Sequence, residues 1–231
     1  MSDPIVFVPG LLCTEALYAP QIVAFSDRPI MVANHRDHDS IEGIAANILD
    51  NAPDRFSLIG LSMGGYLAME ILREAPQRVG KVALLDTNAR SDTPEQTERR
   101  EFMIKLTRER GFEKIPHLLY PGFVHETRED DEELKSIVVD MANDTGLEAF
   151  IRQQTALINR PDARPGLRDI HCPTLVLVGD GDRLTPLEMS QEIHDHIPES
   201  DLAVIPGSGH LSTLEEPELV TNVLRDFLNR K

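Results

Sequence analysis

Short aliphatic and β-branched runs recur along the chain, each separated from the next by a stretch of helical period, and this alternation narrows the possible folds more than any other feature. The first runs occupy residues 5–8, 30–33 and 56–59. Between the second and third, residues 41–49 place Ile41, Ile44, Ala45, Ile48 and Leu49 on one helical face, and Asp39 with Glu42 offers a capping box. Two strands of one sheet joined through a helix require a right-handed crossover, hence parallel pairing. The rhythm continues with a helix over 63–75, stopped by Pro76, and a strand over 82–85. From 91 to 162 there is no strand-like run, only helical period and charge, which predicts helices over 93–110, 131–141 and 147–158. Alternation resumes with a strand over 174–178, a helix near 187–196 and a strand over 202–205. A closing helix follows from Pro217, with a capping box from Ser212 and Glu215 or from Thr213 and Glu216, and an apolar stripe of Leu219, Val220, Val223, Leu224, Phe227 and Leu228.

The pattern predicts an α/β fold with an open, mostly parallel sheet of about six strands flanked by helices. The 231 residues suffice for one domain with a substantial core, 1–88 and 166–231, bracketing a helical insertion over 89–165. A hydrophobic share of 41% and a charged share of 27% are those of an ordinary globular chain. The net charge of −16 argues against nucleic-acid or anionic-membrane partners, because both need clustered Lys and Arg. A small-molecule substrate is compatible with that charge, since a local patch can reverse the sign inside a cleft. The start of the chain lacks a basic segment followed by a long apolar one, and no apolar stretch approaches the roughly 20 residues that span a bilayer. Cys13 and Cys172 form neither a C-x-x-C pair nor a metal-ligand spacing, so a reducing cytoplasm is expected; no metal and no cofactor are expected either. The acidic run 126–133 reads as solvated surface.

The sharpest local signal is Gly60-Leu61-Ser62-Met63-Gly64-Gly65, directly after a predicted strand and at the start of a predicted helix. So abrupt a turn presses backbone together two residues before and two after the serine, where only glycine avoids a Cβ clash. It lifts the Ser62 hydroxyl clear of the sheet, near free N–H groups and the positive end of a helix dipole. A serine nucleophile needs a neutral base, usually histidine. Of the eight histidines, His210 stands in Gly207-Ser208-Gly209-His210, at the carboxyl edge of the sheet that also carries Ser62. His35 and His38 leave the carboxyl end of another strand and are further candidates for the pocket lining; the others fall in loops, the insertion or helix surfaces.

A carboxylate must hold the imidazole in one tautomer. Asp182, in the loop that leaves the preceding strand, is the first candidate; Asp180, nearer the strand end, and Asp86, which also ends a strand, are its rivals. Oxyanion donors are expected from the N–H of Met63 and from that of Leu11 in Pro9-Gly10-Leu11-Leu12-Cys13. No elbow presents Cys13 and no base accompanies it, so it reads as a buried thiol.

With these residues in view, the chain resembles the α/β-hydrolase superfamily. The order serine, acid, histidine matches that family, with the elbow at Gly60 to Gly64, the G-x-x-D-x-x-x-P acid loop at Gly179 to Pro186 and the G-x-G-H loop at Gly207 to His210. The resemblance implies that the insertion is a helical cap over the active site. It also implies a trimmed member lacking the usual first two strands, with Pro9-Gly10 where His-Gly is common. The activity implied is cleavage of a small carboxylic ester or thioester through an acyl-enzyme on Ser62. The same residues also serve carbon–carbon hydrolysis, a lyase step or cofactor-free perhydrolysis on similar scaffolds, and a ligand-binding protein with slow turnover is a further alternative.

Overall fold

The computed structural model describes residues 3–230. Strand β1 (Ile5–Val8) is followed by a short 3-10 turn and helix α1 (Ala19–Ala24), then β2 (Ile30–Val32), α2 (Ile41–Asn51), β3 (Phe56–Leu61), α3 (Met63–Glu74) and β4 (Val79–Leu85). Three helices come next, α4 (Pro94–Arg110), α5 (Ile115–Phe123) and α6 (Glu132–Ile158). The chain then returns through β5 (Thr174–Gly179), α7 (Leu187–His196), β6 (Asp201–Ile205), α8 (Ser212–Glu215) and α9 (Pro217–Asn229).

All pairings among the six strands are parallel, in the order β2-β1-β3-β4-β5-β6. The chain runs outward from β1 to β2 and then crosses to the other side of β1 for β3, so the direction of winding reverses there. In open α/β sheets the crevice beyond the carboxyl ends at such a switch point is where ligands bind. The β1–β3 register pairs Val8 with Gly60, which sets the loop of Gly10 beside the turn of Ser62.

Every residue of β1, β3 and β5 is buried, which is why these strands read as unbroken apolar runs. One face of the sheet packs under α2, α3 and α7 through residues such as Ile44, Leu67 and Ile193. The other packs under α1 and α9 through Leu17, Phe25, Leu224 and Phe227, and extends into the insertion at Tyr120 and Val138. Fully buried side chains such as Phe7 and Ile59 each contribute roughly 2 kcal/mol by leaving water. Among the described residues no helix is long and apolar enough to cross a membrane.

Several local expectations are corrected. The cap of α2 is Ser40, whose extended backbone lets Oγ accept the Gly43 N–H at 3.1 Å; Asp39 lies one residue too far out. No capping box forms at 212–216: these residues make the separate turn α8 and the junction to α9, whose cap position Glu216 makes no side-chain bond. Leu219 of the expected stripe is 43% exposed. β4 begins at Val79 rather than 82, because Gly80 and Lys81 interrupt its apolar pattern. Helix α5 lies outside the expected helices; it contains Pro116, Pro121 and Gly122, residue types that ordinarily mark loops. The two helices expected over 131–158 are joined into α6, with a kink at Gly146, whose φ of 78° is open to glycine at no steric cost.

Candidate active site

Ser62 sits between the last residue of β3 and the first of α3 with φ 56° and ψ −114°, a strained conformation for a residue with a Cβ. The turn is held by the Ser62 N–H donating to Leu85 O at 2.9 Å and by Thr87 Oγ1 donating to Ser62 O at 2.8 Å. A Cβ on Gly60 would lie 2.2 Å from Gly64 O, and one on Gly64 would lie 1.9 Å from Val8 O. Both glycines are therefore steric requirements of the turn.

The loops after β5 and β6 start side by side, because Gly179 pairs with Ile205 in the sheet register. From them come Asp182 and His210, with side chains 0% and 5% exposed. Ser62 Oγ lies 2.8 Å from His210 Nε2, and His210 Nδ1 lies 2.8 Å from Asp182 Oδ2. The carboxylate can only accept, so Nδ1 carries the proton and Nε2 is free to accept from the serine. Asp182 also accepts from the Leu184 N–H at 2.8 Å, the Thr185 N–H at 3.0 Å and Thr185 Oγ1 at 2.6 Å. Burial opposes its charge, yet the neighbouring His210 and these donors hold its carboxyl down at about 2. Burial likewise opposes charge on His210, and the Asp182 carboxylate overrides it, raising the imidazole above its ordinary value.

The rival aspartates are placed differently. Asp180 is exposed and accepts the Gly207 N–H at 2.8 Å, so it closes the histidine loop without reaching the imidazole. Asp86 is fully buried with φ 45°, accepts the Gly179 N–H at 2.9 Å and is hydrogen-bonded to Ser212 Oγ. Burial, then the nearby Asp182 charge, pushes its carboxyl up to about 8.

His38 is exposed, and His35 is buried beneath the loop that follows β1, its Nε2 donating to Gly10 O at 2.9 Å. Burial pushes its pKa down to about 4, so it is a neutral donor at pH 7. This bond bears on the Leu11 N–H expected as an oxyanion donor: in a trans peptide the Gly10 carbonyl and the Leu11 N–H point in opposite directions. With Gly10 O turned to His35 and to the Cys13 N–H at 3.1 Å, the Leu11 N–H turns the other way. A Cβ on Gly10 would lie 3.4 Å from Ser62 Cβ, so the two backbones meet closely here. Neither the Leu11 nor the Met63 N–H has an acceptor among the described residues; that of Met63 is one of the free donors opening α3. Leu12 follows with φ 61° and gives its N–H to Gln153 Oε1 of α6 at 3.1 Å. Burial pushes the Cys13 thiol up to about 12, so it stays protonated beside this loop.

These parts border a cavity of about 160 Å³ lined by Leu11, Ser62 and His210 of the core and by Met103, Leu119 and Phe123 of the insertion. Thr185 and Gln153 join the site beside the residues that the sequence predicts. A threonine three residues after an aspartate is a recognisable local turn pattern, so Thr185 had a signal. Gln153 had none, since its partner lies 141 residues away. Among the described residues no group of three or more His, Cys, Asp or Glu is arranged to hold a metal ion.

A family model described as "Alpha/beta hydrolase family" matches residues 5–223. A 2-hydroxy-6-oxononadienedioate/2-hydroxy-6-oxononatrienedioate hydrolase of Paraburkholderia phymatum is 30% identical over 183 residues, which is 77% of this chain and 63% of that protein's length. Among solved structures, a thermophilic esterase from Thermogutta terrifontis with malate bound is 28% identical with a TM-score of 0.89, over 99% of this chain and 90% of that one. The enol-lactonase from Burkholderia xenovorans, 23% identical over 100% of this chain and 92% of that one, shares the fold with a TM-score of 0.87.

Proposed function

Since the chain belongs to the alpha/beta hydrolase family, we propose that it is a serine hydrolase that cleaves small carboxylic esters or thioesters through an acyl-enzyme on Ser62. The observation that carries this reading is the unbroken relay from Ser62 Oγ to His210 Nε2 and from His210 Nδ1 to Asp182, 2.8 Å at each step. His210 Nε2 takes the hydroxyl proton as Oγ bonds to the acyl carbon, and Asp182 stabilises the imidazolium. The Met63 and Leu11 N–H groups receive the charge that develops on the carbonyl oxygen. The imidazolium then protonates the departing alkoxide or thiolate as the ester bond breaks. Water, deprotonated by His210, attacks the acyl-enzyme, and Ser62 leaves with the returned proton.

The test is labelling by a fluorophosphonate together with turnover of p-nitrophenyl esters. Wild type should label at Ser62, and Ser62→Ala should lose both. Full esterase activity in folded Ser62→Ala would refute the mechanism. A second reading keeps the three residues and changes the bond, to carbon–carbon hydrolysis in a hydroxy-oxo-dienedioate of the kind named for the Paraburkholderia relative; its support is that 30% identity. Strong Ser62 labelling beside negligible ester turnover would favour it.

A further inference from the structure

The charge inside the pocket is opposite to that of the chain. The molecule carries 39 acidic against 23 basic residues, yet the lining of the cavity that holds Ser62 and His210 contains Arg99, Arg100 and Arg160 and, among the described residues, no Asp or Glu. All three arginines come from the insertion, two from α4 and one just after α6.

Their settings differ. Asp92, its side chain 1% exposed, lies behind the lining, pairs with Arg100 Nε at 2.7 Å and is also hydrogen-bonded to Arg160 Nη1. Arg100 Nη1 donates further to Gln154 Oε1 at 2.9 Å. Arg160 donates to the carbonyls of Arg90 at 2.9 Å and Leu157 at 3.0 Å, and its guanidinium lies 4.5 Å from the centroid of the Tyr66 ring. Two guanidiniums are thus fixed and share one counter-charge, and the Nη2 of each has no acceptor among the described residues. Arg99 is exposed and has no carboxylate within 4.0 Å among the described residues.

Three guanidiniums against one buried carboxylate leave a surplus of positive charge facing a small, partly enclosed space. Such a surplus repels its own members unless an anion occupies it, and water-poor surroundings strengthen the attraction for one. A guanidinium presents parallel N–H donors that match the two oxygens of a carboxylate. A cavity of about 160 Å³ suits a short chain carrying that group. We propose that the substrate bears a carboxylate on the portion lying under the insertion, received by Arg99, Arg100 and Arg160, so that the site selects an anionic ester over a neutral one of the same length. This rests on the serine-hydrolase reading given above.

The test compares mono-p-nitrophenyl adipate with p-nitrophenyl hexanoate, which have the same number of acyl carbons and differ in the terminal carboxylate. Wild type should favour the adipate in kcat/KM by about tenfold or more, as one charge-assisted contact provides. Arg160→Gln endangers the Asp92 network and hence the fold, so Arg99, which has no side-chain partner among the described residues, is replaced: Arg99→Gln should remove part of the adipate preference, leaving the share of Arg100 and Arg160, and Arg99→Glu should lower the adipate-to-hexanoate ratio further. Raising the salt to about 0.5 M should shrink the wild-type preference. A preference for hexanoate, or a ratio unmoved by Arg99→Glu, overturns the inference. Inorganic phosphate competing better than free adipate would overturn the carboxylate assignment in favour of a phosphoryl group. Fluorophosphonate labelling of the same preparations separates the two claims: Ser62 that labels without adipate preference sinks only this one. If Ser62 fails to label, the reading beneath falls, and calorimetric titration of adipate into wild type and Arg99→Glu still decides whether the arginines bind it.

Discussion

Three aspartates compete for the role of orienting His210, and isosteric replacement separates them. In Asp182→Asn the oxygen that replaces Oδ1 can still accept the N–H groups of Leu184 and Thr185. The amide nitrogen then occupies the place of Oδ2, 2.8 Å from His210 Nδ1. An amide donates where the carboxylate accepted, so Nδ1 becomes the acceptor and the proton moves to Nε2, facing Ser62 Oγ. The imidazole can no longer take the serine proton, and the expected loss is about ten-thousandfold in kcat, or about 5 kcal/mol of transition-state stabilisation. A second cost falls on folding. Asp182 is held near 2 against an ordinary 3.8, worth about 2 kcal/mol at neutral pH, which corresponds to a fall of roughly 4 to 8 °C in Tm for a domain of this size. Turnover of a p-nitrophenyl ester at pH 8 and thermal unfolding of the same samples measure both. Asp180→Asn and Asp86→Asn should keep kcat within about threefold, since neither carboxylate bonds the imidazole. Loss of activity in Asp86→Asn with most activity retained in Asp182→Asn would refute the assignment.

The acid limb of the kcat/KM profile should have its midpoint above the ordinary 6.5 of histidine, because His210 must be neutral to act and its pKa is raised; a midpoint at or below about 6 in a pH series would contradict this. Asp86 has the opposite sign for stability: its folded-state carboxyl is raised to about 8, so the stability it contributes is complete below about 4 and is lost as pH climbs towards 8. Asp86→Asn should therefore flatten the decline of Tm between pH 5 and 8, and an unchanged slope would show that the buried carboxyl does not govern it. Gly64→Ala drives a Cβ to 1.9 Å from the backbone oxygen of Val8, which cannot swing aside, and should cost about 3 kcal/mol or more in urea unfolding; a near-native midpoint would mean that the turn relaxes freely.

The parts of the molecule legible in the sequence are those whose cause is local. Central strands announce themselves because both faces are buried, and the elbow does so because Gly60 and Gly64 leave no room for a Cβ. The loops of Asp182 and His210 could be placed at one rim because parallel strands deliver their carboxyl ends to one edge. What stayed hidden depends on contacts between distant segments. Helix α5 carries Pro121 in its interior, where a proline ordinarily signals an ending. The hold of Gln153 on Leu12, and the convergence of Arg99, Arg100 and Arg160 on the cavity, follow from how the insertion lies on the core, which no periodicity encodes. Glu215 is the clearest case: its sequence position suggested a helix cap, yet it is buried and accepts the N–H groups of His125, Gly209 and Leu211.

That last carboxylate bears on how the insertion and the chemistry are related. Glu215 takes one donor from the segment that ends α5 and two from the histidine loop, while the His210 N–H donates to Phe123 O at 3.1 Å. A Cβ on Gly209 would lie 2.3 Å from the His125 backbone nitrogen, so the two backbones are in direct contact. On the other side of the pocket, Gln153 of α6 holds the loop of Leu11 and Leu12. The insertion thus grips both the His210 loop and the loop of Leu11 and Leu12, and it cannot swing away as a rigid lid without releasing each of them. Its residues divide accordingly. Substitutions at 123–125 or at Gln153 act on the geometry of the reacting groups. Arg99 is bonded to neither loop, which leaves it free to set substrate preference without disturbing the relay between Ser62 and Asp182.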